Sequence, residues 1–405
     1  MTNKTMAHSF KFFARWLIDG TGRNILENVL AEVEKGLILS IKAGQNYDPG
    51  LSDLLDFSTC TVLPGLIDCH THIFMSGTND PEVRKQQLDS PFEDMKSVIS
   101  NHLHQHLAHG IVAIRDGGDY AGHALRYKKE CLPSEGLPIR LKTAGRAWRS
   151  PGRYGKLIGR PPAKGMTLAQ SVAMESKGMD HVKIVNSGLN SLTRFGKETP
   201  AQFSLEQLKP AIRIAGNLGL KTMIHANGEL PVRLAIEAGC HSIEHGFFMG
   251  EKNLHKMAEK QITWVPTTCT MKAYQASLDP YSLEAGISKK NLDHQADQIS
   301  KAIQYGVSIA AGTDCGSLGV HHGFALKEEL GLLIEAGMSL EKAIQCATLN
   351  GAKLLGLEDR LGRLGKGMPA TFVVLDGAPS MLPGILDTPP TIFSHGRKWK
   401  PSTTG

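Results

Sequence analysis

Two histidines stand at the end of a short apolar run near residue 70. The segment 63–72 reads LPGLIDCHTH, and its apolar part is typical of a buried strand. Residues two apart on a strand face the same side, so His70 and His72 would present two imidazoles together. Because imidazole nitrogens are common ligands of transition metals, this pair predicts a metal site. A single pair of this kind is weak evidence by itself in a chain with 17 histidines.

Residues suited to the same chemistry follow at the ends of later apolar runs. They are Lys183 within His181–Val185, His225 at the end of Lys221–His225, His245 at the end of Ser242–His245, and Asp314 just after Val307–Gly312. In a (β/α)8 barrel the carboxyl ends of the strands meet at one face, where the chemistry takes place. Such strand ends would together supply the donors of a two-metal hydrolytic site.

The elements that would position these residues alternate between strand-like and helix-like patterns. Apolar runs that suit parallel strands are Thr61–Asp68, Ile111–Arg115, Ile139–Thr143, His181–Val185, Lys221–His225, Ser242–His245, Thr263–Pro266 and Val307–Gly312. Helical spacing separates most of them, over Leu205–Leu218, Leu230–Ala238, 252–260, Asn291–Tyr305, Ala325–Ala336 and Leu340–Leu355. The alternation predicts an α/β fold, with a (β/α)8 TIM barrel over residues 61–357. A doubly wound open sheet is the alternative, but no GxGxxG follows the first strand.

Both chain ends contain short runs that are typical of strands rather than helices. The runs are Phe10–Ile18, Val29–Val33 and Leu37–Lys42 in residues 1–60, and Ala370–Leu375 and Thr391–Ser394 in residues 358–405. We expect the two ends to pair into one small β-sandwich that is discontinuous in sequence. Two unrelated tails are the alternative.

The motifs LPGLIDCHTH, VKIVNSG, IHANG, SIEHG and AAGTDCG, in this order, resemble the amidohydrolase superfamily. Within it, the chain is similar to the branch of imidazolonepropionase-like hydrolases and Xaa-Pro or Xaa-Arg/Lys dipeptidases. The resemblance covers nearly the whole chain and includes GRLGKGMP before the Val-rich strand near the C-terminus. It implies the TIM barrel, the β-sandwich built from both chain ends, and a metal-dependent hydrolase.

The resemblance also implies a role for each motif residue. His70, His72 and Asp314 would bind the more buried metal, and His225 and His245 the second one. Lys183 would carry a carbon dioxide-derived carbamate that bridges two divalent ions, with zinc as the expected metal and manganese, cobalt or iron as alternatives. An ordinary buried lysine that extends toward solvent is the alternative for Lys183.

The implied reaction is hydrolysis of an amide-type C–N bond by a metal-activated hydroxide. Asp314 would act as the catalytic general base and then as the acid that protonates the leaving amine. We expect a small carboxylate-bearing substrate, a dipeptide or an N-acyl amino acid. Hydrolysis of a cyclic amide, lactone or carbamate, deamination of a heterocycle, and a non-catalytic scaffold remain as alternatives.

Substrate contacts are expected from loops that follow the strands. The loop 145–156 is rich in cations, and Arg153 and Tyr154 stand roughly where many relatives carry a substrate-contacting histidine. His322 is a further substrate candidate, since a matching His-Gly lies near the site in relatives. Asn227 replaces a histidine or tyrosine of dipeptidase-like relatives, which puts a standard dipeptidase activity in doubt.

Several nearby residues are expected to have structural roles. Strand alternation predicts that Glu244 faces away from the barrel centre, opposite to His245. Arg115 and Asp116 end the second strand. Arg115 is interpreted as structural, and Asp116 either as a turn residue or as a residue that supports the metal ligands. The histidines 102, 106 and 109 have helical spacing and are interpreted as a polar edge beside an apolar stripe.

Composition restricts the partners and the compartment. A net charge of +6 comes without a dense Lys/Arg run, so we expect no nucleic-acid partner. No apolar stretch is long enough for a transmembrane helix, and no signal-peptide core precedes the first strand. The 7 scattered cysteines form no CxxC pair, which favours reduced thiols and a cytoplasmic location. We expect no membrane partner and leave homo-oligomer formation open.

Overall fold

The computed structural model describes residues 9–50 and 53–399. The outermost parts of the two predicted β-segments, residues 1–8 and 400–405, lie outside the described residues. The strands are β1 (Phe10–Leu17), β2 (Leu26–Glu34), β3 (Leu37–Lys42), β4 (Leu54–Pro64), β5 (Leu66–Thr71), β6 (Ile111–Asp116), β7 (Arg140–Thr143), β8 (Ala147–Trp148), β9 (Gly159–Arg160), β10 (His181–Val185), β11 (Lys221–Ala226), β12 (Ser242–His245), β13 (Thr263–Val265), β14 (Phe372–Asp376), β15 (Thr391–Ser394) and β16 (Arg397–Lys398).

Helices follow most of the parallel strands. They are α1 (Pro81–Asp89), α2 (Phe92–Ala108), α3 (His123–Glu130), α4 (Leu132–Glu135), α5 (Leu168–Glu175), α6 (Leu205–Asn217), α7 (Glu229–Ala238), α8 (Glu251–Glu259), α9 (Thr268–Ser277), α10 (Leu283–Tyr305), α11 (Ala325–Glu335), α12 (Leu340–Gln345) and α13 (Gly351–Leu355). Local sequence explains the starts of several. The side chain of Asp80 accepts hydrogen bonds from the amides of Glu82 and Val83, and Pro81 occupies the first turn of α1.

The strands at the two chain ends form one mixed sheet in the order β16-β15-β14-β4-β1-β2-β3. The C-terminal β14 pairs antiparallel with β4, so it joins the C-terminal strands to the N-terminal ones. Alternation of buried and less buried residues along β2 gives this sheet one apolar face. That face has its own core, in which Phe12 packs on Phe372 with ring centroids 5.1 Å apart.

Between the chain ends, parallel strands form sheets in the orders β13-β12-β11-β10-β8-β9 and β5-β6-β7. Strands such as β6 and β10 are buried along their whole length, which explains their continuous apolar runs. Backbone hydrogen bonds attach the segment 308–313 to both sheets. Ala310 N donates to Trp264 O of β13, and Cys69 N of β5 donates to Ala311 O, each at 2.9 Å. The predicted α/β fold is therefore present, with parallel strands and intervening helices.

Some element boundaries differ from the sequence prediction for identifiable reasons. The run predicted as one strand over Thr61–Asp68 is divided at Gly65, because β4 belongs to the mixed sheet and β5 to a parallel one. A Cβ atom on Gly65 would lie 2.4 Å from Val112, so the backbone approaches a neighbour that only glycine tolerates. The run Val307–Gly312 makes an isolated parallel bridge, between Trp264 and Ile309, rather than a full strand.

Two predicted helices also have different bounds. The helix predicted to begin at Asn291 begins at Leu283, where the side chain of Ser282 caps it. The helix predicted over Leu340–Leu355 contains a π-helical segment, Cys346–Asn350. Among the helices of the described residues, none has both the length and the apolar character needed to cross a membrane.

Candidate metal centre

The candidate site is a small cavity at the carboxyl ends of the parallel strands. The cavity measures about 70 Å³, and its wall includes all the residues predicted to ligate metal: His70, His72, Lys183, His225, His245 and Asp314. The side chains come from β5, β10, β11, β12 and the segment after Gly312. The structure therefore brings together residues that are as much as 244 positions apart in the chain, from 70 to 314.

His70, His72 and Asp314 form a compact donor group. Oδ1 of Asp314 lies 3.4 Å from Nε2 of His70 and 3.3 Å from Nε2 of His72. The Nδ1 of His70 donates to Oε2 of Glu244 at 2.8 Å, and the Nδ1 of His72 donates to the carbonyl of Gly118 at 2.8 Å. These outer hydrogen bonds hold both Nε2 atoms toward the cavity, as is usual for histidines that bind metals.

His225 and His245 are oriented in the same way from the opposite wall. Nδ1 of His245 donates to Oγ1 of Thr267 at 2.7 Å, and the hydroxyl of Thr267 donates a hydrogen bond to the carbonyl of Pro266. The Nε2 of His225 lies 3.2 Å from the carbonyl of Gly188, so its Nδ1 is the nitrogen that remains for a ligand. The two rings lie 4.5 Å apart between centroids.

Lys183 completes the group from the middle of β10. Its Nζ lies 3.2 Å from Nε2 of His70, and the side chain is 1% exposed. Within the described residues, no carboxylate oxygen lies at salt-bridge distance from this amine. Burial lowers the pKa of Lys183 to about 8, while the carboxylates of Glu244 and Asp314 oppose this shift, so part of the amine is neutral near physiological pH.

Burial also determines the charge of the other donors. Desolvation lowers the pKa of His72 and of His225 to about 3, and holds the pKa of His70 and His245 well below the usual range. All four imidazoles are therefore neutral at pH 7, which is the form that ligates a metal. Burial raises the pKa of Asp314 to about 6, while the Lys183 charge opposes this shift.

This donor set fits divalent transition metals. Neutral imidazoles, one carboxylate and an amine without a carboxylate partner converge on a cavity too small for a large organic cofactor. The outer nitrogens of His70, His72, His225 and His245 are already used by protein oxygens, so one nitrogen of each ring points to the shared space. The residues present therefore fit the metals that the sequence motifs imply.

The prediction that Glu244 faces away from the centre is wrong. Glu244 is fully buried beside the metal cavity, where it accepts from His70 and from Nη2 of Arg115 through both carboxylate oxygens, at 2.9 Å. The alternation rule fails because His245 has a left-handed backbone with φ of 66°. The reversal turns His245 to the same side as its neighbour. A signal was available: one arginine and one glutamate occur inside apolar strands, where charges are seldom unpaired.

Arg115 and Asp116 have the structural roles expected for them. Arg115 also donates through Nε to the carbonyl of Cys69, which ties β6 to β5. Asp116 accepts from the amides of Ile73 and Gly118. It thereby shapes the loop whose Gly118 carbonyl holds His72.

The candidate substrate residues have different positions. Tyr154 lines the metal cavity, and its ring lies 5.4 Å from that of His225. Arg153 does not line the cavity: it is exposed, and its guanidinium donates to the carbonyl of Pro200. His322 is also outside the cavity wall, because it is buried with Nε2 donating to the carbonyl of Met75. These two assignments are corrected, since loop direction and packing depth cannot be read from residue order.

Arg84 is a cavity residue that sequence reasoning missed. It projects from α1 into the wall of the metal cavity, where its Nη1 donates to the carbonyls of Ser76, Thr78 and Gly316. Its remaining guanidinium nitrogens have no partner among the described residues. No feature of the segment PEVRKQQLD distinguishes Arg84 from Lys85 beside it, so only the tertiary structure identifies it.

A second cavity of about 140 Å³ adjoins the first and shares Tyr154, His225, His245 and Asp314 with it. Its further wall is mainly apolar, with Leu189, Leu192, Phe247, Met271 and Tyr274. Asn227 also lines it and is held by the carbonyl of Gly188 and the amide of Phe247. The metal site therefore opens onto a small pocket suited to an apolar group.

The helix α2 histidines are more deeply placed than the sequence suggested. His102 and His106 are buried within the packed face of α2, so the interpretation as a polar edge beside the apolar stripe is wrong for these two. Nδ1 of His102 donates to the carbonyl of Ile73, and Nδ1 of His106 donates to the carbonyl of His102. Only His109 of the three remains partly exposed.

A family model described as the amidohydrolase family matches residues 61–403. The chain belongs to the amidohydrolase family. Ochratoxinase from Aspergillus niger is 30% identical over 207 residues, which is 50% of this chain and 42% of that protein. The chain thus matches less than half the length of this curated relative. Imidazolonepropionase from Clostridium tetani is 23% identical over 87% of this chain and 85% of that protein.

Solved amidohydrolase structures share the fold over nearly the whole chain. A Xaa-Pro dipeptidase with methionine bound in its active site has a TM-score of 0.81 and 25% identity, covering 97% of this chain and 100% of that one. The Aspergillus niger ochratoxinase structure has a TM-score of 0.79 and 22% identity over 98% and 97% of the two chains. These neighbours imply a TIM-barrel-like α/β fold.

Proposed function

We propose that this protein is a binuclear metal-dependent amidohydrolase that cleaves an amide-type C–N bond in a small carboxylate-bearing molecule. A dipeptide or an N-acyl amino acid is the substrate class that we favour. The observation that carries the proposal is the convergence of four neutral histidines, Asp314 and the buried amine of Lys183 on one cavity. In this proposal the parallel strands close into a (β/α)8 barrel around the cavity, as the fold of the solved relatives supports.

The chain's own residues divide the work of the reaction. When bound, the metal ions would supply Lewis acidity, which lowers the pKa of water and polarises the amide carbonyl. Asp314 is placed at the cavity to accept a proton at its carboxylate from the attacking water and to return it to the leaving nitrogen. Oγ of Ser317 donates to Oδ2 of Asp314 at 3.0 Å and leaves Oδ1 directed at the histidines.

We infer that Lys183 reacts with carbon dioxide to form a carbamate, whose two oxygens would help to hold the metal ions. In this step the neutral amine forms an N–C bond with carbon dioxide and releases a proton. Burial favours the neutral amine that the step needs. The product is an anion with two oxygens, which converts an isolated buried amine into a metal ligand.

The two cavities suggest how a substrate would be oriented. Arg84 lines the metal cavity with guanidinium nitrogens that are free to bind a carboxylate. The adjoining apolar pocket would take a hydrophobic side chain or acyl group. The scissile amide must reach the metals while the carboxylate contacts Arg84 and the apolar group fills the adjoining pocket. The arrangement therefore favours a short molecule with one carboxylate.

Metal analysis tests the binuclear site. We expect the catalytic cavity to hold two metal equivalents in the wild type, and the total metal content to fall by at least one equivalent in Lys183→Ala. Lys85→Ala, which removes an exposed lysine on α1, is the control and should keep both metal equivalents. A total metal content that is unchanged by Lys183→Ala would contradict the carbamate and direct attention to cyclic amides and heterocycle deamination.

A paired substrate panel tests the carboxylate preference. Dipeptides and N-acyl amino acids are compared with the same compounds as C-terminal amides, in the wild type, Arg84→Met and Lys85→Met. Arg84→Met should lower kcat/KM for the acids by about 10–100-fold, because it removes one charge-assisted hydrogen bond to the carboxylate. Lys85→Met should leave kcat/KM unchanged. The amides should be hardly affected. An acid preference that survives Arg84→Met would exclude this arginine as the carboxylate site.

A further inference from the structure

A second buried group of metal-type donors lies outside the catalytic cavity. It consists of His106 on α2, Cys315 in the segment between α10 and α11, and His322 just before α11. Their exposed fractions are 0%, 0% and 3%. One potential ligand atom from each residue lies within 4.8 Å of the other two. None of the three lines the catalytic cavity.

The hydrogen bonds of the two histidines orient the group. Nδ1 of His106 donates to the carbonyl of His102 at 2.8 Å, so its Nε2 is the nitrogen that faces Sγ of Cys315, at a hydrogen-bonding distance of 3.6 Å. Nε2 of His322 donates to the carbonyl of Met75 at 2.7 Å. Nδ1 of His322 is buried and has no hydrogen-bond partner among the described residues. A buried nitrogen of this kind is costly unless something binds it.

The spacing matches tetrahedral coordination. With zinc bonds of about 2.3 Å to sulfur and about 2.0 Å to nitrogen, a separation of 3.6 Å corresponds to an angle of about 110° at the metal. Each histidine also has the backbone carbonyl partner that typically fixes a ligating imidazole. A carboxylate oxygen of Asp68 lies 4.0 Å from Sγ of Cys315, so a second negative group is close enough to offset the charge of a buried cation.

We propose that His106, Cys315 and His322 bind a structural zinc ion, separate from the catalytic metals. The fourth position would be taken by water or by Asp68. The ion would fasten α2 and the start of α11 to the loop that follows Asp314. That loop also contacts the end of β5, since the amide of His72, the residue after β5, donates to the carbonyl of Cys315 at 2.8 Å. The proposal does not depend on the proposed function.

Cobalt substitution tests the site, because the catalytic donors contain no sulfur. Metal-free full-length protein is titrated with Co²⁺ and followed by near-ultraviolet absorption. We expect a thiolate-to-cobalt charge-transfer band that saturates at one equivalent and disappears when Zn²⁺ is added. Cys315→Ser should lose the band and one metal equivalent. The matched control Cys269→Ser, another buried thiol, should keep both.

Further variants make the outcome decisive. His245→Ala, which damages the catalytic centre, should keep the thiolate band. If Cys315→Ser does not fold, His106→Gln replaces it, since this variant retains the thiol and should weaken or shift the band. Absence of the band in the wild type, or a band that survives Cys315→Ser, overturns the proposal and leaves a hydrogen-bonded thiol–imidazole pair.

Discussion

At the scale of single residues, the site depends on a chain of buried charges behind the first histidine. Arg115 donates to Glu244, and Glu244 accepts from Nδ1 of His70. All three side chains are nearly inaccessible to solvent. The carboxylate thus orients an imidazole toward the cavity and is itself neutralised by a guanidinium.

Replacement of Glu244 should separate these two roles. We expect Glu244→Gln to weaken metal binding by about 10–100-fold, because His70 loses its anionic partner. The free energy of unfolding should also fall by about 3–5 kcal/mol, because Arg115 becomes an unpaired buried cation. Metal titration and urea unfolding measure the two effects. The double variant Glu244→Gln/Arg115→Met should recover stability but not metal affinity, and equal stability of single and double variants would disprove the charge argument.

A buried acid away from the catalytic donors should make stability depend on pH. Glu329 is 0% exposed, and burial raises its pKa from 4.5 to about 7, although the amide of Cys269 donates to it. Between these pH values the folded state retains a proton that the unfolded chain releases, so the contribution of Glu329 to stability falls as pH rises from about 4.5 to 7. Urea unfolding across this range should show a flatter profile for Glu329→Gln. An identical slope in both proteins would argue against the raised pKa.

At the scale of elements, the ends of the strands and the turns after them place the donors. His245, Thr267 and Asp314 have left-handed backbones, with φ between 48° and 66°. Such conformations are costly for residues with side chains and persist where the surrounding structure enforces them. The left-handed backbone interrupts the strand alternation at these positions. It turns His245 and Asp314 toward the cavity, and Thr267 toward the hydrogen bond that holds His245.

The loop after β6 holds His72 by close contact, which a single methyl group should disturb. A Cβ atom on Gly117 would lie 2.7 Å from Cε1 of His72. We therefore expect Gly117→Ala to displace the ring and lower metal affinity by about 10–100-fold, with the fold retained. Gly216→Ala on α6 is the control, because nothing lies within 4 Å of its added Cβ. This control should keep its metals and gain up to about 1 kcal/mol of stability. Unchanged metal affinity in Gly117→Ala would show that the ring has room to move.

At the scale of the whole molecule, the two larger apolar cores of the described residues serve different parts of the chain. One fills the space around the parallel strands and their helices, and the other lies beneath the mixed sheet formed by both chain ends. Pairing of β14 with β4 joins the ends immediately before β5, which carries His70. The sheet thus anchors the strand on which the metal site begins.

Truncation in the sheet core should lower stability without altering the chemistry. Phe372 is fully buried, and its ring stacks on Phe393 at 4.6 Å. Phe372→Ala should cost about 3–5 kcal/mol in the free energy of unfolding, because it leaves a cavity. The control Leu39→Ala, 46% exposed in the same sheet, should change stability by less than about 0.5 kcal/mol. Activity of folded Phe372→Ala should match the wild type, and a loss in kcat would show that this sheet shapes the active site.

Much of this architecture could be predicted from the order of residues. Continuous apolar runs identified the buried parallel strands, and β10 and β12 have the predicted bounds. The motifs around His70 and Asp314 predicted the amidohydrolase family, which the family match confirms. Short-range patterns suffice for these features because strand burial and motif spacing are local properties of the sequence.

Other features depend on contacts between segments that are far apart in the chain. The direction of Glu244 follows from one backbone reversal at His245, which residue type does not encode. The position of Arg84 at the cavity, and the burial of His106 against Cys315 and His322, follow from the packing of helices onto strands far away in sequence. The sequence by itself therefore determined the family and the kinds of donor, because these depend on local pattern. Tertiary structure determined which charges pair and which side chains reach the cavity, because these depend on distances between segments that have no fixed relation along the chain.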